Sequence, residues 1–341
     1  MVALRSMEHM SANQDRTVEQ PEILRTIYER ARAADATIII AESDDERVTE
    51  AAKIIEREKL ARLVLLNETS FQKMPPAEQD ALAQAIAGLP MGDHLLVEAP
   101  ADIKRRLATD TKYLAAALVK AGKADGYVSG NKSTTKETIL TALKVIGTPD
   151  GYASSFFIML HQGKPLFFAD CGFNPNPNPE ELARIAVDTA RNVQALGIEP
   201  RVAFLSFSTA GSAEHEHVDE VREAIGHARL IAPDIAIAED ELQFDAAINP
   251  LIAAKKVSGG PVAGNANVFI FPDLNSGNIA YKVAREVGGA QAIGPIFQGF
   301  NAPANDLSRG CSTQDIVDVV AVTAMQAGAL KKAEEEKTAA E

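Results

Sequence analysis

The sequence has no tryptophan, and aromatic side chains make up 5% of its 341 residues. With so few flat rings, platforms on which nucleic-acid bases stack are not indicated. Positive charge is also in the minority: 34 Lys and Arg stand against 47 Asp and Glu, for a formal charge of −13. Such a balance disfavours broad nucleic-acid binding, which needs a positive field. It leaves room for a small anionic substrate held by a few local cations. Cysteine occurs twice, at Cys171 and Cys311, too far apart for metal-ligand spacing. That excludes a disulfide scaffold and fits a reducing cytoplasm. No run of about 18 uninterrupted apolar residues exists, so no membrane span is expected. The opening segment lacks an apolar stretch of signal-peptide length, so secretion is not expected either.

What is present is an ordinary globular mix, 46% hydrophobic and 24% charged, long enough for two domains. Short β-branched runs alternate with amphipathic stretches. Thr37–Ala41 reads as a buried strand, followed by a helix carrying Val48, Ala51, Ala52 and Ile55, with Ser43 or Asp44 as its cap. Gly126–Ser129 is a short strand and Lys136–Val145 a helix. Ala153–Leu160 and Pro165–Ala169 read as a strand pair. The alternation then continues through a helix over Asp245–Lys256 to a final helix over Thr313–Gly328. Residues 67–110 resist reading, with prolines at 75, 76 and 100. The charged run from Lys331 reads as a fraying helix end. This rhythm predicts an α/β fold with mainly parallel sheets, whose active sites lie at the carboxyl ends of strands.

Two loops after strands carry candidate chemistry. Gly126-Tyr-Val-Ser-Gly-Asn-Lys-Ser-Thr-Thr135 resembles a phosphate loop, but its glycines are one residue too close and Asn131 precedes Lys132. Two readings stay open: free amides that hold an anion, or a turn capped by Ser133 or Thr134. The second loop is Asn305-Asp-Leu-Ser-Arg-Gly-Cys-Ser-Thr-Gln-Asp315. There Arg309 offers a planar multi-donor fork for phosphate, and Ser312 to Asp315 has capping-box spacing. His215-Glu-His217 reads as solvated loop, not a zinc pattern. Cys171 has no adjacent base and reads as a small buried residue. Dinucleotide and hydrolase-elbow motifs are missing.

Taken together, these segments resemble the phosphate acetyltransferases (phosphotransacetylases) from about Pro21 to Leu330. The resemblance rests on Asp45-Glu-Arg-Val48, Lys123-Ala-Asp-Gly-Tyr-Val-Ser-Gly130, Ala169-Asp-Cys171, Ser206-Phe-Ser-Thr209, Val268-Phe-Ile-Phe-Pro-Asp-Leu-Asn275, Tyr281-Lys282 and above all Asn305-Asp-Leu-Ser-Arg-Gly310. It implies two three-layer αβα domains of the isocitrate/isopropylmalate dehydrogenase-like kind, the second inserted into the first. Residues 15–150 plus 296–333 form the first and 151–295 the second. Residues 1–14 and 334–341 are then flexible tails. It further implies a cytoplasmic homodimer that transfers an acyl group between acyl phosphate and coenzyme A, through a ternary complex. Coenzyme A is a substrate, and no cofactor, metal or covalent intermediate is required. By the same resemblance Ser308 hydrogen-bonds the thiol, Arg309 holds phosphate and developing charge, and Asp315 takes the thiol proton. Ser129, Gly130, Asn131, Ser133, Thr134, Asn275 and Lys282 fall on the expected substrate-binding segments. An ordinary carboxylate lies about 4–5 pKa units below a free thiol, about 6 kcal/mol. Charge stabilisation by Arg309 is therefore expected to be the larger contribution.

Two departures from the family pattern stand out. Ser133 occupies a position where many members have His, and Leu140 one where an Arg is expected. The basic segment upstream looks shortened over Leu95 to Asp110, where Lys104, Arg105 and Arg106 read as an exposed helix face. They set a second reading beside the first: a weak or inactive homologue that binds coenzyme A or a partner chain in a regulatory role. A third, an NAD-dependent hydroxyacid dehydrogenase, lacks its substrate motifs.

Overall fold

In a computed structural model, which describes residues 20–87 and 99–340, β-branched runs become the central strands. The chain opens with α1 (Glu22–Ala34), β1 (Thr37–Ile40), α2 (Glu46–Glu58) and β2 (Arg62–Leu65). Then come α3 (Pro76–Ala87), α4 (Pro100–Thr109), α5 (Thr111–Lys120), β3 (Gly126–Ser129) and α6 (Thr135–Thr141), which continues as a π-helical turn over Ala142–Ile146. The middle comprises β4 (Ser154–His161), β5 (Lys164–Ala169), α7 (Pro179–Ala195), β6 (Arg201–Phe204), α8 (Glu216–Ile231) and β7 (Ala236–Ile237). After α9 (Phe244–Ile248), α10 (Pro250–Lys256) and β8 (Val268–Ile270) follow α11 (Leu274–Glu286) and β9 (Gln291–Gln298). β10 (Ala304–Asp306) and α12 (Thr313–Ala340) complete it.

Two sheets result. The first has the order β10-β3-β1-β2 and is parallel throughout. Its central strands are buried on both faces, which is why Ile38, Ile39 and Ile40 form an unbroken apolar run. The second has the order β7-β6-β8-β5-β4-β9. It is parallel from β7 to β5, while β4 runs antiparallel to both β5 and β9. Strands of the first sheet come from 37–129 and 304–306, and those of the second from 154–298. β9 runs unbroken across the 295/296 boundary expected from sequence.

α12 packs against α1 and α2 and also against β3 and β9, so it touches both sheets. Every residue from Ile316 to Ala327 is buried, the pattern of a helix surrounded by protein. Three local expectations are corrected. Asp45, not Ser43 or Asp44, caps α2, accepting from the Arg47 amide. Asp245–Lys256 is two helices, because Asn249-Pro250 interrupts the hydrogen-bond ladder. The charged run after Leu330 stays helical to Ala340: it holds Ala, Glu and Lys with no Gly or Pro, and Lys331 pairs with Asp125 at 2.8 Å.

The parallel register aligns the carboxyl ends of β1, β3 and β10, with Asp306 opposite Ser129 and Ile40 opposite Val128. The loops that leave those ends therefore meet.

Candidate active site

The Gly-Ser-Thr loop after β3 does cradle an anion, but an internal one. The backbone N–H groups of Gly130 and Lys132 donate to Glu42 Oε2 at 2.9 and 3.1 Å, and the Ser133 hydroxyl donates to Glu42 Oε1. Asn131 is buried and donates from Nδ2 to the Glu42 carbonyl and to Asp45 Oδ2. Thr134 caps α6 in a reciprocal box with Glu137, so the capped turn is present as well. Ser129 is buried, with its hydroxyl 3.4 Å from that of Thr138. Lys132 pairs with Asp44 at 2.7 Å on the surface. Gly130 has φ +101°, and a Cβ there would lie 2.1 Å from Asp306 Oδ1 and 2.5 Å from the Leu307 carbonyl. Only glycine satisfies both constraints.

The second loop is fixed by Arg47. Its guanidinium grips Asp45 in a fork, at 3.1 Å from Nε and 2.6 Å from Nη2. Nη1 donates to the carbonyls of Arg309 and Cys311 at 3.0 and 2.7 Å, and Nη2 donates to that of Asn131. One side chain thus ties the start of α2 to both loops. The Asp45 carboxyl is held far below its usual range, chiefly by Arg47. At the start of α12, Asp315 Oδ2 accepts from the Ser312 amide at 2.8 Å, and the Ser312 hydroxyl accepts from the Asp315 amide at 3.1 Å. Among the described residues nothing donates to Asp315 Oδ1.

Ser308 and Asp315 line a cleft of about 240 Å³, with Thr135 on the same wall. The facing wall is α11, which contributes Asn278, Tyr281, Lys282 and Arg285. α11 sits close because Gly277 lies against β5's end, where a Cβ would be 2.2 Å from the Asp170 carbonyl oxygen. Tyr281 stacks on Phe157 at 4.2 Å, and Lys282 Nζ donates to Asn278 Oδ1. Cys171 and Cys311 also line this cleft. Burial pushes the Cys311 thiol up to about 11 and Cys171 higher than its ordinary value, so neither is a thiolate at neutral pH.

The structure therefore brings Ser308, Asp315 and Lys282 to one cleft. Arg309 is exposed at its edge, near Glu137, whose carboxyl is held low first by the Thr134 amide and hydroxyl and then, weakly, by Arg309. Asn275 is exposed on the first turn of α11 and does not line the cleft. Ser129, Gly130, Asn131, Ser133 and Thr134 stand behind it, engaged with Glu42, Asp45 and α6. Leu140 is 43% exposed on α6 and also off the cleft. Lys104 of α4 pairs with Asp80 of α3, Arg105 pairs with Asp102 within α4, and Arg106 lies over the Tyr113 ring. Residues 95–98 of that segment lie outside the described ones. His215 caps α8 and accepts from the His217 amide.

Sequence reasoning singled out neither Glu42, Thr135, Arg285 nor Asp306, and it took Arg47 as a motif letter without a task. One of these left a signal: Glu42 is an acid directly after the apolar run Ile38–Ala41, where burial makes a charge costly. Asp306 is fully buried, and burial pushes its carboxyl up to about 7.

Against known proteins, a family model described as phosphate acetyl/butaryl transferase matches residues 22–324. A phosphate acetyltransferase from Paracoccus denitrificans is 43% identical over 320 residues, covering 89% of this chain and 98% of that protein. One from Thermoanaerobacterium thermosaccharolyticum is 41% identical over 336 residues, covering 89% and 99%. The crystal structure of a phosphotransacetylase from Streptococcus pyogenes has a TM-score of 0.79 at 37% identity, covering 89% of this chain and 98% of that one.

Proposed function

Because the chain belongs to the phosphate acetyl/butaryl transferase family, we propose that the cleft between α11 and the Ser308 loop is where an acetyl group passes between acetyl phosphate and the thiol of coenzyme A. Family and relatives together carry the activity, phosphate acetyl transfer, and give no support to an inactive homologue. The observation that carries the location is the convergence of Ser308 and Asp315 on a cleft whose opposite wall bears Lys282 and Arg285.

In this reading the thiol sulfur attacks the acyl carbon, the carbon–oxygen bond to phosphate breaks, and phosphate leaves with the electron pair. The proton leaves the thiol for Asp315 Oδ1, while Ser308 orients the sulfur. Arg309 folds in from the edge to meet the phosphate, where a guanidinium fork matches its oxygens. Lys282 and Arg285 supply positive charge that an Arg at position 140 was expected to give. The reaction needs neither a metal nor a resident cofactor.

α11 also supports the homodimer. Ile279, Val283 and Val287 recur every four residues on one face and are 61%, 52% and 83% exposed. A second copy covering that stripe would brace the wall that faces Ser308. Two unpaired cysteines suit a reducing cytoplasm. Among the described residues no helix is long and apolar enough to cross a membrane.

The test is thiol-ester formation by the purified chain with coenzyme A and acetyl, propionyl and butyryl phosphates, over a series of phosphate concentrations. Turnover of about 1–1000 per second with acetyl phosphate supports the reading. Absence of turnover with every acyl phosphate, from folded protein, refutes it.

A further inference from the structure

Asp306 stands behind the cleft and Thr135 within it, and one hydrogen bond of 2.6 Å joins Thr135 Oγ1 to Asp306 Oδ2. Asp306 is fully buried, two residues before Ser308, and among the described residues nothing donates to its Oδ1. An ionised carboxylate that is dry and half-satisfied is unfavourable, so the site suits the neutral acid. The direction of the Thr135 bond then matters. Ionised, Asp306 can only accept, and it takes the Thr135 hydroxyl hydrogen. Neutral, it can donate to Thr135 Oγ1, and the Thr135 hydrogen is released to point into the cleft.

We propose that Asp306 and Thr135 form a relay in which the neutral acid presents the Thr135 hydroxyl as a hydrogen-bond donor to the phosphate of the acyl phosphate. Asp306 is the positioning residue and Thr135 the one that touches substrate. The inference rests on the cleft being the site of acetyl transfer.

The surroundings bias the relay the same way. Glu42, after β1, faces Asp306 and its negative charge opposes ionisation. Tyr127 on β3 is buried, and its hydroxyl has no partner among the described residues. α6 brings the hydroxyls of Thr135 and Thr138, which favour the ionised form, as does the Leu307 amide of the Asp306 strand itself. Burial outweighs them and places the carboxyl near 7, so the relay switches within the working range of pH. Ser133 and Thr134 cannot do this task, since one is spent on Glu42 and the other on the cap.

The experiment measures KM for acetyl phosphate, with saturating coenzyme A, from about pH 6 to 8.5 in the native chain and in Asp306→Asn, Thr135→Val and Thr135→Ser. In the native chain KM is expected to rise about fivefold over that range, with little change in kcat. Asp306→Asn donates permanently through its amide and keeps the low KM throughout. Thr135→Val has the high KM throughout, and Thr135→Ser restores the rise. A Thr135→Val chain with native KM near pH 6, or an Asp306→Asn chain whose KM climbs as the native one does, overturns the relay. Inorganic phosphate gives a readout free of turnover. Its upward shift of the thermal midpoint near pH 8 should be larger in Asp306→Asn than in the native chain, and smallest in Thr135→Val. That order in a chain that turns over no acyl phosphate would refute the proposed reaction and uphold the relay. Equal shifts in all three chains overturn the relay whatever the turnover.

Discussion

The Arg47 guanidinium donates to the Cys311 carbonyl oxygen at 2.7 Å, from the first turn of α2 to the loop just beyond Ser308 and Arg309. Its other bonds hold Asp45 and the carbonyls of Arg309 and Asn131. Replacing Arg47 by Met frees both loops at once. Hydrogen bonds to charged groups contribute about 1.5–3 kcal/mol each, and this side chain is about one-third exposed, so a total loss of about 2–3 kcal/mol is expected. Denaturant unfolding should show that loss, and kcat should fall at least about tenfold in the fraction that stays folded.

Arg309 and Asp315 should separate in the opposite sense. The Arg309 side chain makes no hydrogen bond among the described residues, so Arg309→Gln is expected to leave the thermal midpoint unchanged. Its kcat should fall about 100- to 1000-fold, as when one fixed donor to developing charge is lost. Asp315→Ala should lower both, because the same carboxylate accepts from the Ser312 amide and a cap contributes about 0.5–2 kcal/mol. Asp315→Asn keeps an acceptor for that amide and should recover most of the stability without the activity. Unchanged turnover in Arg309→Gln removes that residue from the mechanism.

Gly130→Ala is expected to be among the most damaging single changes in the chain. Its methyl would meet Asp306 Oδ1 and the Leu307 carbonyl at 2.1 and 2.5 Å, in a backbone region where alanine is already strained. We expect a loss of about 4 kcal/mol or more, read by urea unfolding. An alanine variant with near-native stability would mean that the loop relaxes freely.

Asp188 carries a stability signature of its own. Burial raises its carboxyl to about 6, with Asp150 adding to the rise and Arg184 opposing it. The folded value exceeds the unfolded one of about 3.9, so the folded state binds the proton more tightly. The associated stability is complete below about pH 4 and is lost as pH rises through about 6. The difference in unfolding free energy between the native chain and Asp188→Asn should therefore slope downward by about 1.4 kcal/mol per pH unit at most between those limits. A flat difference curve would show that the carboxyl titrates normally.

The exposed face of α11 gives a test of assembly. Val283→Glu places a charge between Ile279 and Val287 and should convert the proposed dimer to a monomer in sedimentation. Because Tyr281, Lys282 and Arg285 lie on the same helix, KM for coenzyme A should rise with it. A variant that stays dimeric locates the interface elsewhere.

Much of this was legible in the sequence, for local reasons. Thr37–Ile40 is a strand because its isoleucines follow one another without a break, and the run from Asn305 to Gly310 carried the family likeness most strongly among several matched segments. The rest depends on distance in the chain. Glu42 gained its meaning from amides 88 and 90 residues away, a pairing no local pattern encodes. Ser133, Thr134 and Thr135 are three adjacent hydroxyls, nearly equivalent as letters. Only the phase with which α6 leaves the loop sends the first to Glu42, the second to the cap and the third into the cleft. Arg309 was legible as a fork for phosphate and the reciprocal bonds of Ser312 and Asp315 as spacing, while the proton-accepting role of Asp315 came from the family likeness.

α12 touches β3 on one side and β9 on the other, and Asp315 stands on its first turn. The strands β1 to β3 are made early but gain β10 and their covering helix only after the whole second sheet has been synthesised. On the ribosome the first sheet must wait, partly bare, while the second folds beneath the exit tunnel. The segment from β10 onward then both closes the first sheet and brings Ser308 and Asp315 to the cleft, with Arg309 at its edge. A nascent chain that stops before β10 is therefore expected to lack the proposed site altogether, however well its second sheet has folded.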